Sequence, residues 1–213
     1  MSTTPAPCTL CLVRHGETDW NVEHRIQGQT DTPLNGHGIE QARKAARFLR
    51  AFAFHAAYSS DLERARATAG FIVNGRGLEI QTDLRLRERA YGVFQTLLYS
   101  EAEERHPEIY ARYRSRHPDC DLGGGESLRM LAARVEGCLT QIADAHPGRQ
   151  VLIVTHGGVL DVVYRLATGL ALEAPRDFLI SNAAVSVIRG NGAQWQLERW
   201  NETPDFEALD DDT

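Results

Sequence analysis

Two runs, "CTLCLV" at 8–13 and "QVLIVT" at 150–155, are apolar almost without interruption. A strand with one wet face alternates polar and apolar residues, so an unbroken run belongs to a strand covered on both faces. Helices must therefore lie above and below the sheet that holds them. Shorter strand-like runs occur at 55–59 ("HAAYS"), 78–82 ("LEIQT"), 183–189 ("AAVSVIR") and 194–199 ("QWQLER"). Helical periodicity fills the intervals. Ile39, Ala42, Ala45, Ala46, Leu49 and Phe52 form one stripe, and Leu128, Leu131, Val135, Leu139 and Ile142 another. The second stripe is entered through Glu126 and Ser127 after glycines 123–125, and Pro147 and Gly148 close it. Strands alternating with helices predict an α/β three-layer sandwich around a six-stranded sheet.

The chain of 213 residues is long enough for one domain with a substantial core, expected over 8–200. Residues 97–122 read as helical but polar, rich in Arg, Glu and Tyr, which suits a cap over a pocket better than a core element. Residues 1–7 are small and Pro-rich, and 201–213 end in the acidic "EALDDDT"; both ends are expected to be disordered. A net charge of −6 argues against a nucleic-acid partner, which needs a basic excess, but allows a local basic pocket. No run reaches the length of a membrane span, and "MSTTPAP" has neither basic leader nor apolar core, so a cytoplasmic location is expected. Cys8 and Cys11 have metal or redox spacing. On a strand, however, positions three apart face opposite ways, so no cysteine-based function is expected.

The two long strands share an ending. "CLVRHG" at 11–16 and "IVTHGG" at 153–158 both run from apolar residues into His-Gly. In open α/β sheets ligands gather at the carboxyl ends of strands, so His15 and His156 can meet there. Glycine after each histidine lets the backbone turn and approach a ligand. Gly157 and Gly158 also precede a helix-like run whose first amides would favour an anion. In "YSSDLERARATA" Arg64 falls in the first turn of a helix, where a cation is disfavoured unless an anion lies beside it. Arg14, His15, Arg64 and His156 together make a cationic pocket suited to a phosphoryl group, whose oxygens match guanidinium forks. His15 and His156 lack any metal-ligand pattern nearby, and the other six histidines have no supporting context.

These elements lie within an ordered set of motifs. "LVRHGETDWN", "IQGQTDTPLNGHG", "SSDLERARATA", "LRERAYG", "GGESL", "VTHGGVLD" and "SNAAVSVI" follow one another from about Leu10 to Trp200. The set resembles the histidine phosphatase superfamily, which includes cofactor-dependent phosphoglycerate mutases and many small phosphatases. The resemblance implies a phosphoglycerate mutase-like fold, a mostly parallel sheet with one antiparallel edge strand. It implies that neutral His15 attacks phosphorus to give a phosphohistidine that water cleaves, with Arg14, Arg64, His156 and Asn21 clamping the phosphoryl group. Gln27 and Gly28 are placed beside the phosphate, the Gly157 amide assists, and Arg89 and Tyr91 match substrate-contacting positions. Glu88 matches the acid that protonates the leaving oxygen. A carboxylate beside a phosphate dianion tends to keep its proton, as a general acid must. Read without the motif, Glu88 would equally pair with Arg87 or Arg89 at the surface. Glu17 is a weaker rival, expected to orient Arg14 or the first loop. No metal or other cofactor is implied.

The resemblance leaves mutase and phosphatase to be separated. "ERAYG" is mutase-like, yet the longer cap of glycolytic mutases, with its paired arginines, has no counterpart before "GGGESL". Arg112, Arg114 and Arg116, two apart on one helix, cannot all face inward and are expected on a solvated face. Thr96 stands where the family commonly has glycine. The expected activity is a phosphomonoesterase for a small phosphorylated metabolite. A phosphoglycerate mutase, which would need a 2,3-bisphosphoglycerate primer, is the alternative. A silent phospholigand binder would have lost His15 or Glu88, and both are present. The sequence leaves room for a homodimer.

Overall fold

The computed structural model describes residues 6–192 and 194–204; the expectations for 1–5 and 205–213 lie outside them. Six strands form one sheet: β1 (Cys8–Arg14), β2 (Ala56–Ser59), β3 (Ile80–Thr82), β4 (Gln150–Thr155), β5 (Val185–Gly190) and β6 (Trp195–Glu202). Their order is β3-β2-β4-β1-β5-β6, with β1 and β4 adjacent and parallel at the centre. β5 runs antiparallel to both of its neighbours.

This corrects two expectations. The antiparallel strand is not at the edge, because β6 pairs beyond it. The burial patterns follow: β5 is buried at all but one position, whereas β6 mixes exposed and half-buried residues. The strand also continues through Glu202, past the point where a tail was expected. Asn201 is held there by a backbone donation to Ser186 Oγ and a side-chain oxygen that accepts from the Ser181 amide.

Among the described residues there are seven α-helices: α1 (Asp19–Val22), α2 (Gly36–Phe48), α3 (Glu63–Val73), α4 (Tyr99–Arg105), α5 (Pro107–Arg114), α6 (Leu128–Ala145) and α7 (Gly157–Thr168). Cys8, Leu10 and Leu12 of β1 pack toward α6 and α7, while Cys11 and Val13 pack toward α2 and α3. Two cores on opposite faces result, each fully buried leucine contributing about 1.5–3 kcal/mol. The same alternation separates Cys8 from Cys11, and all four cysteines are free and buried. Asn35 caps α2 by accepting from the Gly38 amide, and Ser127 caps α6 by accepting from that of Met130. Among the described residues no helix is long and apolar enough to cross a membrane.

The region 97–122 is helical only over α4 and α5, turning irregular after Arg114, and it builds a third, smaller core together with residues from outside it. Ile26, Phe94, Ala102, Cys120 and Leu122 form it, with Tyr110 and Tyr113 packed against them. Pro107 opens α5, its missing N–H costing nothing at that position. The expectation for the three cap arginines holds for exposed Arg112 and Arg114 but not for Arg116. The helix ends at Arg114, and Arg116 lies beyond it with φ +54, outside helical spacing. Its side chain turns inward, donating to Asp161 Oδ2 at 2.6 Å and to the Leu172 carbonyl at 2.9 Å.

Candidate active site

Parallel pairing of β1 with β4 puts Arg14 opposite Thr155, so the residues that follow each leave the sheet at the same edge. The His15 amide donates to the Thr155 carbonyl at 2.9 Å, and the rings of His15 and His156 lie 5.1 Å apart, tilted by 58°. His15 Nδ1 is 2.7 Å from the Gly16 carbonyl. A carbonyl only accepts, so Nδ1 carries the proton and Nε2 keeps a free lone pair. Burial, then the charges of Arg64 and Arg14, holds His15 well below the ordinary histidine value; burial, then Arg64, does the same for His156. Both imidazoles are neutral at physiological pH.

Arg64 is wholly enclosed, and burial lowers its guanidinium to about 10. Its two terminal nitrogens donate to the carbonyls of Thr30 and Gly28, at 2.9 and 2.8 Å. Arg14 donates to the Ile180 carbonyl. These fix both guanidinium planes, yet the Nε of Arg14, the Nε of Arg64 and both nitrogens of His156 are buried without a partner among the described residues. Buried N–H groups are almost always satisfied, so a cluster of unsatisfied ones marks a ligand site.

A cavity of about 80 Å³ lies against this cluster. Arg14, His15, Asn21, Gln27, Gly28, Arg64, Glu88 and Tyr91 are all on its wall, so the structure brings together eight of the eleven expected residues there. His156, its ring beside that of His15, is not on this wall, while Arg89 and Gly157 line a larger neighbouring cavity. Two guanidinium nitrogens of Arg89 donate to the carbonyls of Glu126 and Cys120, which fastens the cap loop.

Glu88 pairs with neither neighbouring arginine. Arg87 is bonded to Asp61, and the Glu88 carboxylate accepts from the amides of Arg89 and Gly158. The start of α7 thus does attract an anion, and it is this side chain. Gly158, rather than Gly157, is the glycine that contact requires, since a Cβ there would collide with Glu88 Oε1. Gly16 is likewise needed for close approach to the Gly38 backbone, not for a turn toward ligand. Glu17 orients the first loop by accepting from the Asn35 side chain, and it does not touch Arg14.

Several contributors carried no signal of their own in the sequence. Arg134 on α6 donates to the carbonyls of Arg85 and Arg87, and Thr155 Oγ1 to that of Leu86, so both pin the segment that presents Glu88. Arg25, Ile26 and Tyr99 complete the cavity wall. Asn182, inside "SNAAVSVI", donates to the His15 carbonyl at 3.1 Å and to Asn21 Oδ1 at 3.3 Å.

Comparison with known proteins agrees with this architecture. The sequence model of the histidine phosphatase superfamily (branch 1) matches residues 10–203. The chain is 41% identical to phosphoglycerate mutase-like protein 4 of Arabidopsis thaliana, over 93% of this chain and 86% of that one. It is 39% identical to the metal-independent phosphoserine phosphatase of the same plant, over 94% and 84%. Among solved structures, a mycobacterial glucosyl-3-phosphoglycerate phosphatase superposes with a TM-score of 0.82 at 31% identity, covering 92% of this chain and 99% of the other. With a family match across nearly its whole length and these relatives, the chain belongs to the histidine phosphatase superfamily.

Proposed function

We propose that the protein is a phosphomonoesterase for small phosphorylated metabolites, working through a phosphohistidine on His15. The observation that carries this reading is the free Nε2 lone pair of a neutral imidazole beside two fixed guanidinium groups, each with an unpartnered buried Nε. His15 Nε2 attacks phosphorus, forming the N–P bond as the ester P–O bond breaks, and Glu88 gives its proton to the departing oxygen. In the second step Glu88 takes a proton from the water that attacks phosphorus and releases His15. Arg14 and Arg64 hold the phosphoryl oxygens, and His156 donates from beside His15. Asn21 Oδ1 is already engaged by Thr18 and Asn182, which leaves its amide nitrogen for the substrate. Gln27 and Gly28 shape the oxyanion site, and Tyr91 closes it toward the cap.

The guanidinium set supplies the charge neutralisation that a metal would otherwise provide, and a relative is named metal-independent. Relatives named phosphoserine phosphatase and glucosyl-3-phosphoglycerate phosphatase favour hydrolysis over return of the phosphoryl group to a bound alcohol. A mutase is the weaker alternative. Four free, buried thiols suit a reducing compartment, and we place the reaction in the cytoplasm. The test is hydrolysis of p-nitrophenyl phosphate with a chelator present, together with capture of acid-labile, base-stable phosphate on the protein. Activity that survives chelation, with label that vanishes in His15→Ala, is expected. Label that persists in that variant overturns the proposal. Trials of 3-phosphoglycerate with and without the bisphosphate primer decide between hydrolysis and transfer.

A further inference from the structure

The outer pair of strands, β5 and β6, falls out of step at one place. Val185 pairs with Glu202 and Val187 with Arg199, so Ser186 alone on β5 faces both Trp200 and Asn201 on β6. Two residues against one make a β-bulge, which re-aims side chains. Asn201 carries its left-handed turn at φ +53, a conformation asparagine tolerates better than most residues. Consecutive side chains of a regular strand point to opposite faces. Here both reach the same stretch of chain. The Trp200 indole N–H donates to the Leu179 carbonyl at 2.8 Å, and Asn201 Oδ1 accepts from the Ser181 amide at 2.6 Å. Asn201 Nδ2 also donates to Ser181 Oγ, and the Trp200 ring packs against Tyr164 and Phe178.

The stretch so held has no regular structure of its own, for residues 171–184 contain neither helix nor strand. Between the two anchors lies Ile180. Its carbonyl receives the one hydrogen bond that the Arg14 side chain makes among the described residues. A guanidinium tied at a single nitrogen can still pivot about that bond, so whatever places the Ile180 carbonyl also places the rest of the fork. That includes Arg14 Nε, which is buried and unpartnered beside the phosphate-sized cavity. Bidentate recognition of an oxyanion depends on that plane, and small misplacements are costly. The grip thus runs from the margin of the sheet to its centre, through one peptide group.

We propose that Trp200 and Asn201, the bulge residues of β6, are positioning residues for Arg14 and act through the Ile180 carbonyl. The inference rests on the phosphomonoesterase reading for what Arg14 grips, and a binding cycle tests it without turnover. Calorimetry with inorganic phosphate compares each variant in wild-type and in Arg14→Gln protein. Trp200→Phe keeps an aromatic ring against Tyr164 and Phe178 but loses the donor. Asn201→Gly keeps the positive φ but loses both side-chain bonds. Each should weaken phosphate about five- to tenfold where Arg14 is present, and less than about twofold where it is glutamine. Asn201→Asp still accepts from the Ser181 amide and should retain most of the affinity. Should Asn201→Gly fail to fold, Trp200→Phe decides. Equal weakening in both backgrounds, or none in either, overturns the inference, because a merely structural role does not depend on Arg14. Wild-type protein that binds phosphate but does not hydrolyse an aryl phosphate would instead strike the activity itself.

Discussion

Replacing Glu88 with glutamine removes one titratable proton and leaves its surroundings nearly unchanged. Oε1 accepts from the Arg89 amide at 2.7 Å and from the Gly158 amide at 3.1 Å; Oε2 takes a second branch from Gly158 at 3.0 Å. A glutamine with its oxygen at the Oε1 position keeps both amides satisfied. At the Oε2 position the glutamine NH2 meets the Gly158 N–H, donor against donor, so the second branch is lost and the side chain must shift slightly, at a cost of about 1–3 kcal/mol in stability. The chemical loss is larger and selective. General acid catalysis is worth about 10²- to 10⁴-fold, and it matters most where the leaving oxygen departs as an unstable alkoxide. For an alkyl phosphate, kcat/KM should fall by about 10²- to 10³-fold, roughly 2.7–4 kcal/mol of barrier. For p-nitrophenyl phosphate, whose leaving group is a stable anion, the fall should stay below about tenfold. Steady-state kinetics on the two substrates, with inhibition by inorganic phosphate as a check on binding, measures the difference. Equal losses on both would refute the assignment of Glu88 as the acid.

Two further outcomes concern stability. Burial and then Arg64 depress His15 and His156 in the folded protein, so the unfolded chain takes up protons near pH 6.5 that the folded chain refuses. Their contribution is therefore complete above about 6.5 and is lost as pH falls below it, by up to about 1.4 kcal/mol per pH unit for each imidazole. Urea unfolding at about pH 7.5 and about pH 5.5 should show that loss, and His156→Asn should reduce it by about 1.4 kcal/mol; an undiminished loss contradicts the reasoning. Thr96 sits at φ +74, a left-handed conformation that costs a β-branched residue about 1–2 kcal/mol. Thr96→Gly should recover a net of about 0.5–1 kcal/mol after the entropy of glycine is subtracted, seen as a rise in Tm of about 2–3 °C. A lower Tm would show that the strain argument fails.

The sandwich was legible because apolar continuity and helical stripes are local properties, and β1, β4, α2 and α6 follow them closely. His15, His156, Arg14 and Arg64 were legible for a related reason: each sits within a residue or two of a strand or helix end. Arg116 was misplaced because spacing along a helix has meaning only while the helix lasts, and nothing in "YRSRHP" marked its end at Arg114. Gly158 and Gly157 are the same residue type side by side, and only the approach of Glu88 distinguishes them. Arg134 and Asn182 act on backbone carbonyls from far along the chain, contacts that leave no pattern in the sequence. The inner position of β5 was half visible. "AAVSVI" is as apolar as a central strand, while "QWQLER" alternates like a margin.

The independent nucleus of Ile26, Phe94, Ala102, Cys120 and Leu122 makes the lid over the pocket a separable module. Its packing does not draw on the sheet's two interiors, yet Ile26 and Tyr91 belong both to it and to the wall of the phosphate-sized cavity, so only rim residues away from that wall can be exchanged without disturbing the reacting imidazole or its guanidinium partners. Evolution, or an engineer, can thus retune which ester is admitted while the phosphoryl chemistry beneath stays constant.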